Sequence, residues 1–291
     1  MTVVLPCYNE QDHVALEVER ICLALDESPF SYELLAIDDK STDATLQRLN
    51  ELEPKFPHLT VVPFLTNGGS GTVRRIGSTN ANGAIVVWTD ADMSYPNERI
   101  PELVAFLRDN PEYDQVVGAR TSEQGTHRVL RVPAKWTIRK IAEFLSGASI
   151  PDLNSGLRAF RADVAAPYLH LLPAGFSCVT TITLAFLQNQ HPVAYLPIEY
   201  ATRAGSSKFH PFADAYRYIL QVLRMVMYFN PLKVLMPIAL ALAVLGTGKL
   251  IFDQFEEPIR LANNTVLIVL TGLIIGSIAL LADLIVRSRA P

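Results

Sequence analysis

Through the first 120 residues, short apolar runs alternate with longer stretches of helical period, and polar clusters close most of the runs. The runs predict strands over residues 2–5, 32–37, 59–65, 84–89 and 115–119. Helices are expected between them at about 11–25, 42–52, 70–81 and 97–108. This alternation is the pattern of a parallel sheet covered by helices. Ile85-Val86-Val87-Trp88 is apolar without a break, as a central strand buried on both faces requires. Asn9-Glu10, Asp38-Asp39, Asn67-Gly68-Gly69 and Asp90-Ala91-Asp92 directly follow strands. Ligands of open α/β sheets bind beyond the carboxyl ends of strands, so these four clusters are expected to converge on one crevice.

After Arg120 the rhythm breaks. Residues 121–132 read as a loop, and Pro133 suits the first turn of a helix running to about residue 146. His127, Arg128, Arg131, Lys135, Arg139 and Lys140 form a basic run with no acid from residue 124 to 142. It reads either as a solvated helix face or as a contact for lipid head groups or a phosphorylated substrate. Over residues 213–229 the polar side chains Asp214, Arg217, Gln221 and Arg224 recur at spacings of three, four and three. They make one narrow polar stripe on an otherwise apolar helix, which predicts an interfacial helix.

Pro231 ends that helix. Residues 234–248 are uncharged and apolar, and with Lys249 snorkelling and Leu250-Ile251-Phe252 beyond it the stretch reaches the roughly 20 residues that cross a hydrocarbon core. Residues 265–282 supply a second span, with Asp283 near its far end. The connection between the spans carries Asp253, Glu256 and Glu257 against Arg260. Arg217, Arg224 and Lys233 precede the first span, and Arg287 and Arg289 follow the second. The positive-inside rule then places both flanks, both termini and the α/β part in the cytoplasm. The expected division is an α/β domain over 1–212, a juxtamembrane helix over 213–230 and a two-helix anchor over 231–291.

Composition sharpens this division. The 291 residues are 49% hydrophobic and 19% charged, an excess of apolar residues that resides in the last third of the chain. Disorder and a polytopic transporter are excluded, and a net charge of −4 argues against nucleic-acid binding. Cys7, Cys22 and Cys178 are widely spaced and lack any CxxC pair, so they read as core filler. No basic, apolar leader opens the sequence.

The central chemical clue is Asp90-Ala91-Asp92. Two carboxylates one residue apart, just after a buried strand, suit a hard cation that neutralises a diphosphate. Residues 38–43 also read as a turn capped by Ser41 or Thr42, a role compatible with ligand binding by Asp39.

Five blocks then stand in one order: Pro6-Cys7-Tyr8-Asn9-Glu10; residues 37–45; Asn67-x-Gly69-x-x-x-Val73-x-x-x-Gly77; Asp90-Ala91-Asp92; and Asp152-Leu153-Asn154-Ser155-Gly156-Leu157-Arg158. Together they resemble the family 2 glycosyltransferases of GT-A fold. Arg203-Ala204-Gly205-Ser206-Ser207-Lys208-Phe209 and the two spans resemble the branch that glycosylates polyprenyl phosphates, of the dolichyl-phosphate mannosyltransferase and bactoprenyl glucosyltransferase type. The resemblance implies a mostly parallel sheet flanked by helices. It also implies inverting, metal-dependent transfer of one sugar from a UDP- or GDP-linked donor to a polyprenyl phosphate, with Mg2+ or Mn2+ as cofactor. Pro6, Tyr8, Glu10 and Asp39 would hold the nucleoside, with Asp39 facing the base. Asp90 and Asp92 would meet the metal and diphosphate, Arg120 would line the donor and acceptor pocket, and Arg203, Ser206 and Lys208 would grip the lipid phosphate. Asp152 is implied as a carboxylate near the acceptor, either a base or a positioning group; it also reads as a cap for the turn that follows it.

Departures from the family pattern are Lys40 for the usual Gly, Met93-Ser94-Tyr95-Pro96 for the common Leu-Gln-x-Pro, and Val73 for Ala. The changed segment after Asp92 inclines the reading slightly to a UDP-sugar. Competing readings are a polysaccharide synthase, a Rossmann oxidoreductase and a non-catalytic nucleotide-sugar-binding module. The first lacks its Gln-x-x-Arg-Trp block and the second the last Gly of GxGxxG. The two spans and the apolar helix before them are candidates for packing against copies of themselves.

Overall fold

The computed structural model describes residues 1–121, 140, 143, 147–175, 177–201, 220, 223, 227–228, 230–256 and 262–288. All but residue 121 of the loop predicted over 121–132, nearly all of the helix expected at 133–146 and most of that at 213–229 lie outside the described residues, as do Arg203, Ser206 and Lys208. The chain divides into two compact units, Met1–Ile219 and Leu220–Pro291.

The first unit begins with β1 (Thr2–Cys7), α1 (Val14–Asp26), β2 (Glu33–Asp38), α2 (Thr45–Leu52), β3 (Leu59–Pro63), α3 (Ser70–Thr79), β4 (Ile85–Trp88), α4 (Ile100–Asp109) and β5 (Gln115–Arg120). Each matches an expected element with ends shifted by no more than three residues. β6 (Arg158–Arg161), α5 (Cys178–Gln188) and β7 (Val193–Ile198) follow, besides short helical turns, and the apolar-run pattern found none of these three.

The strands form one sheet in the order β3-β2-β1-β4-β6-β5-β7. β1 pairs in parallel with β2 and β4, and β5 in parallel with β7, whereas β6 runs antiparallel to both its neighbours. The sheet is therefore mixed. β6 is only four residues long with an arginine at each end, so no apolar run announced it. The chain steps outward from β1 to β2 and β3, then returns to lay β4 on the other side of β1. This reversal makes a topological switch point beside the carboxyl ends of β1 and β4.

β4 has the two-sided burial that its composition demanded. Val87 belongs to the buried cluster that includes α1, α2 and α4 on one face, while Val86 and Trp88 belong to the cluster that includes α3 and α5 on the other. The result is a three-layer α/β/α unit. Gly71, near the start of α3, is required by packing: a Cβ there would lie 1.9 Å from the carbonyl oxygen of Pro173.

The second unit contains α6 (Leu232–Glu256) and α7 (Asn263–Ser288). Both are long and apolar enough to cross a membrane, with mean hydropathies of 2.0 and 2.6 over their most apolar windows. Only 11% and 17% of those windows are buried, unlike the core helices of a soluble unit. Close approach is permitted by small residues: a Cβ on Gly272 would sit 3.2 Å from Leu242 Cβ and 3.3 Å from the Ala239 carbonyl oxygen. Lys249, expected to snorkel, pairs with Asp253 at 2.9 Å, and Asp253 also accepts from the Thr265 hydroxyl.

Candidate active site

The polar clusters at the strand ends are stitched to one another. Asn9, after β1, donates its N–H to Ser41 Oγ at 3.0 Å and accepts the Thr42 N–H at 2.8 Å. The Glu10 N–H donates to Thr45 Oγ1 at 2.8 Å. Ser41 and Thr42 are thus turned toward the first loop, and it is Asp43 that accepts the Thr45 N–H at 3.0 Å at the start of α2, in place of the expected caps. Asp39, 3% exposed, accepts the Gly68 N–H on one carboxylate oxygen at 2.6 Å and the Gly69 N–H on the other at 2.8 Å. Its carboxylate therefore fixes the loop ahead of α3. Pro6 lies within β1, Tyr8 is exposed, and Glu10 is partly buried beside the same crevice.

Among the described residues, four non-glycine positions have positive φ, and three of them lie in these loops: Asn9 at 56°, Lys40 at 58° and Met93 at 60°. Lys40 stands where the resemblance expects Gly, and the left-handed backbone gives the physical reason for that preference. Strain of this kind persists where surrounding contacts over-determine the backbone.

The turn leaving β4 carries Asp90 and Asp92. Asp90 Oδ1 accepts Arg74 Nη2 at 2.6 Å. Arg74 is 1% exposed, donates also to the Thr89 carbonyl at 3.3 Å, and lies over Trp88 at 5.6 Å. Burial pushes the Arg74 pKa down, but the adjacent Asp90 charge, together with Cys178 and Tyr95, more than reverses this and leaves it raised. Asp90 Oδ2 faces Gly156 so closely that a Cβ there would lie 2.6 Å from it. The Gly156 N–H donates to Tyr95 Oη at 2.6 Å. Burial, then the Asp90 charge, raise the Tyr95 pKa and keep its hydroxyl protonated. Asp92, nearly buried, accepts from the Ser94 N–H at 3.2 Å and from the Ser94 hydroxyl. Ser94, at the position of the family's Gln, therefore orients Asp92.

Arg120 at the end of β5 and Asp152 form a bidentate pair at 2.7 and 2.9 Å, and the Arg120 and Asn154 N–H groups also donate to Asp152 at 3.2 and 3.0 Å. Burial would raise the Asp152 carboxyl; the hydrogen bonds and charge of Arg120 outweigh it and hold the pKa below the ordinary carboxylate value. A carboxylate held in this way is a poor proton acceptor at neutral pH. Arg120 also lies over Tyr200 at 5.1 Å, and Tyr200 meets Tyr95 edge-on at 5.0 Å. Arg120, Asp152, Tyr200, Tyr95, Gly156 and Asp90 thus form one connected floor.

Two family models match the chain. The first, glycosyl transferase family 2, matches residues 2–169. The chain belongs to glycosyl transferase family 2. The second, the GtrB C-terminal hairpin, matches residues 230–288 and so includes α6 and α7. Similar proteins include an undecaprenyl-phosphate 4-deoxy-4-formamido-L-arabinose transferase of Klebsiella pneumoniae, 29% identical over 72% of this chain and 62% of that protein. One of the same description from Edwardsiella ictaluri is 30% identical over the same shares, and one from Pectobacterium carotovorum is 30% identical over 58% of this chain and 51% of that protein. The chain thus spans about half to three-fifths of the length of these relatives. Among solved structures, glucosyl-3-phosphoglycerate synthase of Mycobacterium tuberculosis, in complex with Mn2+, UDP-glucose and phosphoglyceric acid, matches with a TM-score of 0.61 at 18% identity. The match covers 77% of this chain and 79% of that one. This likeness establishes a GT-A-like fold.

The side-chain chemistry at the β4 turn fits a divalent cation. Asp90 and Asp92 are hard oxygen donors, and the absent side chain of Gly156 leaves Asp90 Oδ2 approachable. Among the described residues no group of three or more His, Cys, Asp or Glu side chains gathers at one point. Such a donor set suits Mg2+ or Mn2+, which bind through one or two carboxylates and take further oxygens from water and phosphate.

Sequence reasoning missed Arg74, Tyr95 and Tyr200. Arg74 sits inside the Asn67 to Gly77 block, at a position the block's pattern leaves unspecified. Tyr95 was noted as a departure without a role, and nothing in the sequence near Tyr200 marks it.

Proposed function

We propose that the chain transfers one sugar from a nucleotide sugar to a polyprenyl phosphate at a membrane. The observation that carries this reading is the Asp90/Asp92 pair on the floor of a GT-A-like crevice, in a chain that also holds two helices apolar enough to cross a membrane. The hairpin match and the undecaprenyl-phosphate transferases among its relatives support a lipid-phosphate acceptor. In this reading residues 1–212 form the catalytic domain on the cytoplasmic side, 213–230 lie at the interface and 231–291 anchor the chain.

Chemically, an oxygen of the acceptor phosphate, already ionised at neutral pH, attacks the anomeric carbon. The bond to the donor diphosphate breaks, and the nucleoside diphosphate leaves with the electron pair. One displacement inverts the anomeric centre. No strong base is required, which agrees with Asp152 acting as the holder of Arg120. Arg120 offers its charge to the phosphates, while Pro6, Tyr8, Glu10 and Asp39 shape the nucleoside end. Mg2+ or Mn2+ at Asp90 and Asp92 would neutralise charge on the departing diphosphate. Arg203, Ser206 and Lys208 are proposed to hold the lipid phosphate through charge-assisted hydrogen bonds.

The test is to incubate the purified full chain with labelled UDP-glucose, UDP-N-acetylglucosamine or GDP-mannose and a polyprenyl phosphate, then extract the lipid. One donor should yield a labelled lipid, lost with chelator and in Asp92→Ala. Full turnover by Asp92→Ala would sink the metal role. Nucleotide-sugar binding without transfer from any donor would instead mark a binding module.

A further inference from the structure

Behind the Asp90 turn lies a polar network that the proposed reaction does not use. Asn97, Glu17 of α1 and Thr89 are all 0% exposed. The Asn97 side-chain oxygen accepts the Thr89 hydroxyl, and its Nδ2 donates both to Glu17 Oε2 and to the Asp90 carbonyl, the latter at 3.3 Å. Glu17 is held in turn by Arg20 Nη1 at 3.1 Å, and Arg20 Nε reaches Glu98 at 2.6 Å.

The chemistry of these partners fixes which way the amide points. A carboxylate accepts only, so Nδ2 must face Glu17, and this turns Oδ1 toward the Thr89 hydroxyl. Arg74 holds the Thr89 carbonyl from the α3 side of the sheet, while Asn97 holds the next carbonyl, that of Asp90, from the α1 side. The turn that presents both carboxylates is therefore clamped on both faces. It needs such a clamp, because Met93, which directly follows Asp92, is in the left-handed region.

We infer that Asn97, anchored by Glu17, is a positioning residue that fixes the Thr89-Asp90-Ala91-Asp92 turn and thereby sets the two carboxylates for a metal–nucleotide complex. The inference rests on the carboxylate-pair reading above, and it adds residues that contact neither substrate nor metal.

The test uses the full chain in detergent, with Mn2+ binding followed by electron paramagnetic resonance in saturating UDP or GDP, and nucleotide binding in chelator followed by calorimetry. Asn97→Ala should weaken Mn2+ binding about tenfold or more, as loss of a group supporting a metal ligand typically does. Thr89→Val, which keeps the volume and removes one hydrogen bond, should weaken it about fivefold. Glu17→Gln retains an acceptor for Nδ2 and should lie closer to the parent protein than Glu17→Ala. Metal-free nucleotide affinity should stay within about twofold throughout, since one lost distant hydrogen bond leaves the nucleoside contacts in place. Unchanged Mn2+ binding in folded Asn97→Ala and Thr89→Val would overturn the inference, as would an equal fall in metal-free affinity. Should Asn97→Ala fail to fold, Thr89→Val decides. Asp92→Ala is the control: intact Mn2+ binding there would overturn the carboxylate-pair reading itself, and this inference with it.

Discussion

Asp152 offers the sharpest choice between a holder and a base, and the Arg120→Gln, Asp152→Asn double-mutant cycle decides it. The two side chains are 12% and 10% exposed, with two side-chain hydrogen bonds between them at 2.7 and 2.9 Å. Removing one partner of a fully buried pair costs about 3–5 kcal/mol; the residual exposure here brings the expectation to about 2–3 kcal/mol for either single variant. Once one partner is gone the other has little left to lose, so the coupling should be about 2 kcal/mol. Denaturant unfolding of the detergent-solubilised chain by tryptophan fluorescence reads this in the correct unit, because Trp88 and Trp136 both precede Leu220. Turnover should follow: the two single variants lose activity to similar extents, and the double variant loses little more. Additive stabilities, or an active Arg120→Gln beside a dead Asp152→Asn, would refute the holder and restore the base. The pH dependence has the same sign. The folded pKa of Asp152 is lowered, so the stability it contributes is present above about pH 4 and lost as pH falls through the folded value. Between pH 5 and 8 the rate profile should show no limb that Asp152→Asn removes.

Further outcomes are expected at the same site. Mn2+ alone should bind weakly, and far more tightly with UDP or GDP, because among the described residues no more than two such carboxylates gather at one point; strong nucleotide-free binding in a titration would contradict this donor count. In Gly156→Ala the new Cβ would meet Asp90 Oδ2 at 2.6 Å, so Mn2+–nucleotide binding should fall while the melting temperature moves little. Gly71→Ala faces backbone at 1.9 Å and should destabilise the first unit by about 2–3 kcal/mol in denaturant unfolding. Lys40→Gly relieves a left-handed lysine and should leave stability unchanged or raise it by up to about 1 kcal/mol, measured as Tm.

Much of this architecture was legible along the chain. The first five strands and four helices have the right composition locally, and β4 announced its two-sided burial through an unbroken apolar run. The hairpin was equally plain, because a membrane-length apolar helix needs no knowledge of its neighbours. β6 was invisible for the opposite reason. Arg158 is fully buried there, and its charge is accommodated by the Val179 carbonyl at 2.7 Å, the Thr183 hydroxyl at 2.7 Å and the Ser155 carbonyl. Burial, then the nearby Arg74 charge, lower its pKa to about 10, so it stays charged at neutral pH. A periodicity argument treats such a residue as surface.

The sequence by itself determined the α/β alternation, the carboxylate pair after a buried strand and the apolar hairpin, since each depends on residues close together in the chain. Tertiary structure decided which groups those carboxylates answer to. Arg74 is 16 residues from Asp90, Asn97 is 80 from Glu17, and Arg120 is 32 from Asp152. Hydrogen bonds and ion pairs act over about 3 Å. Only the folding of the sheet brings these partners within that range: β4 lies beside β1 for the first two pairs, and β6 lies beside β5 for the third.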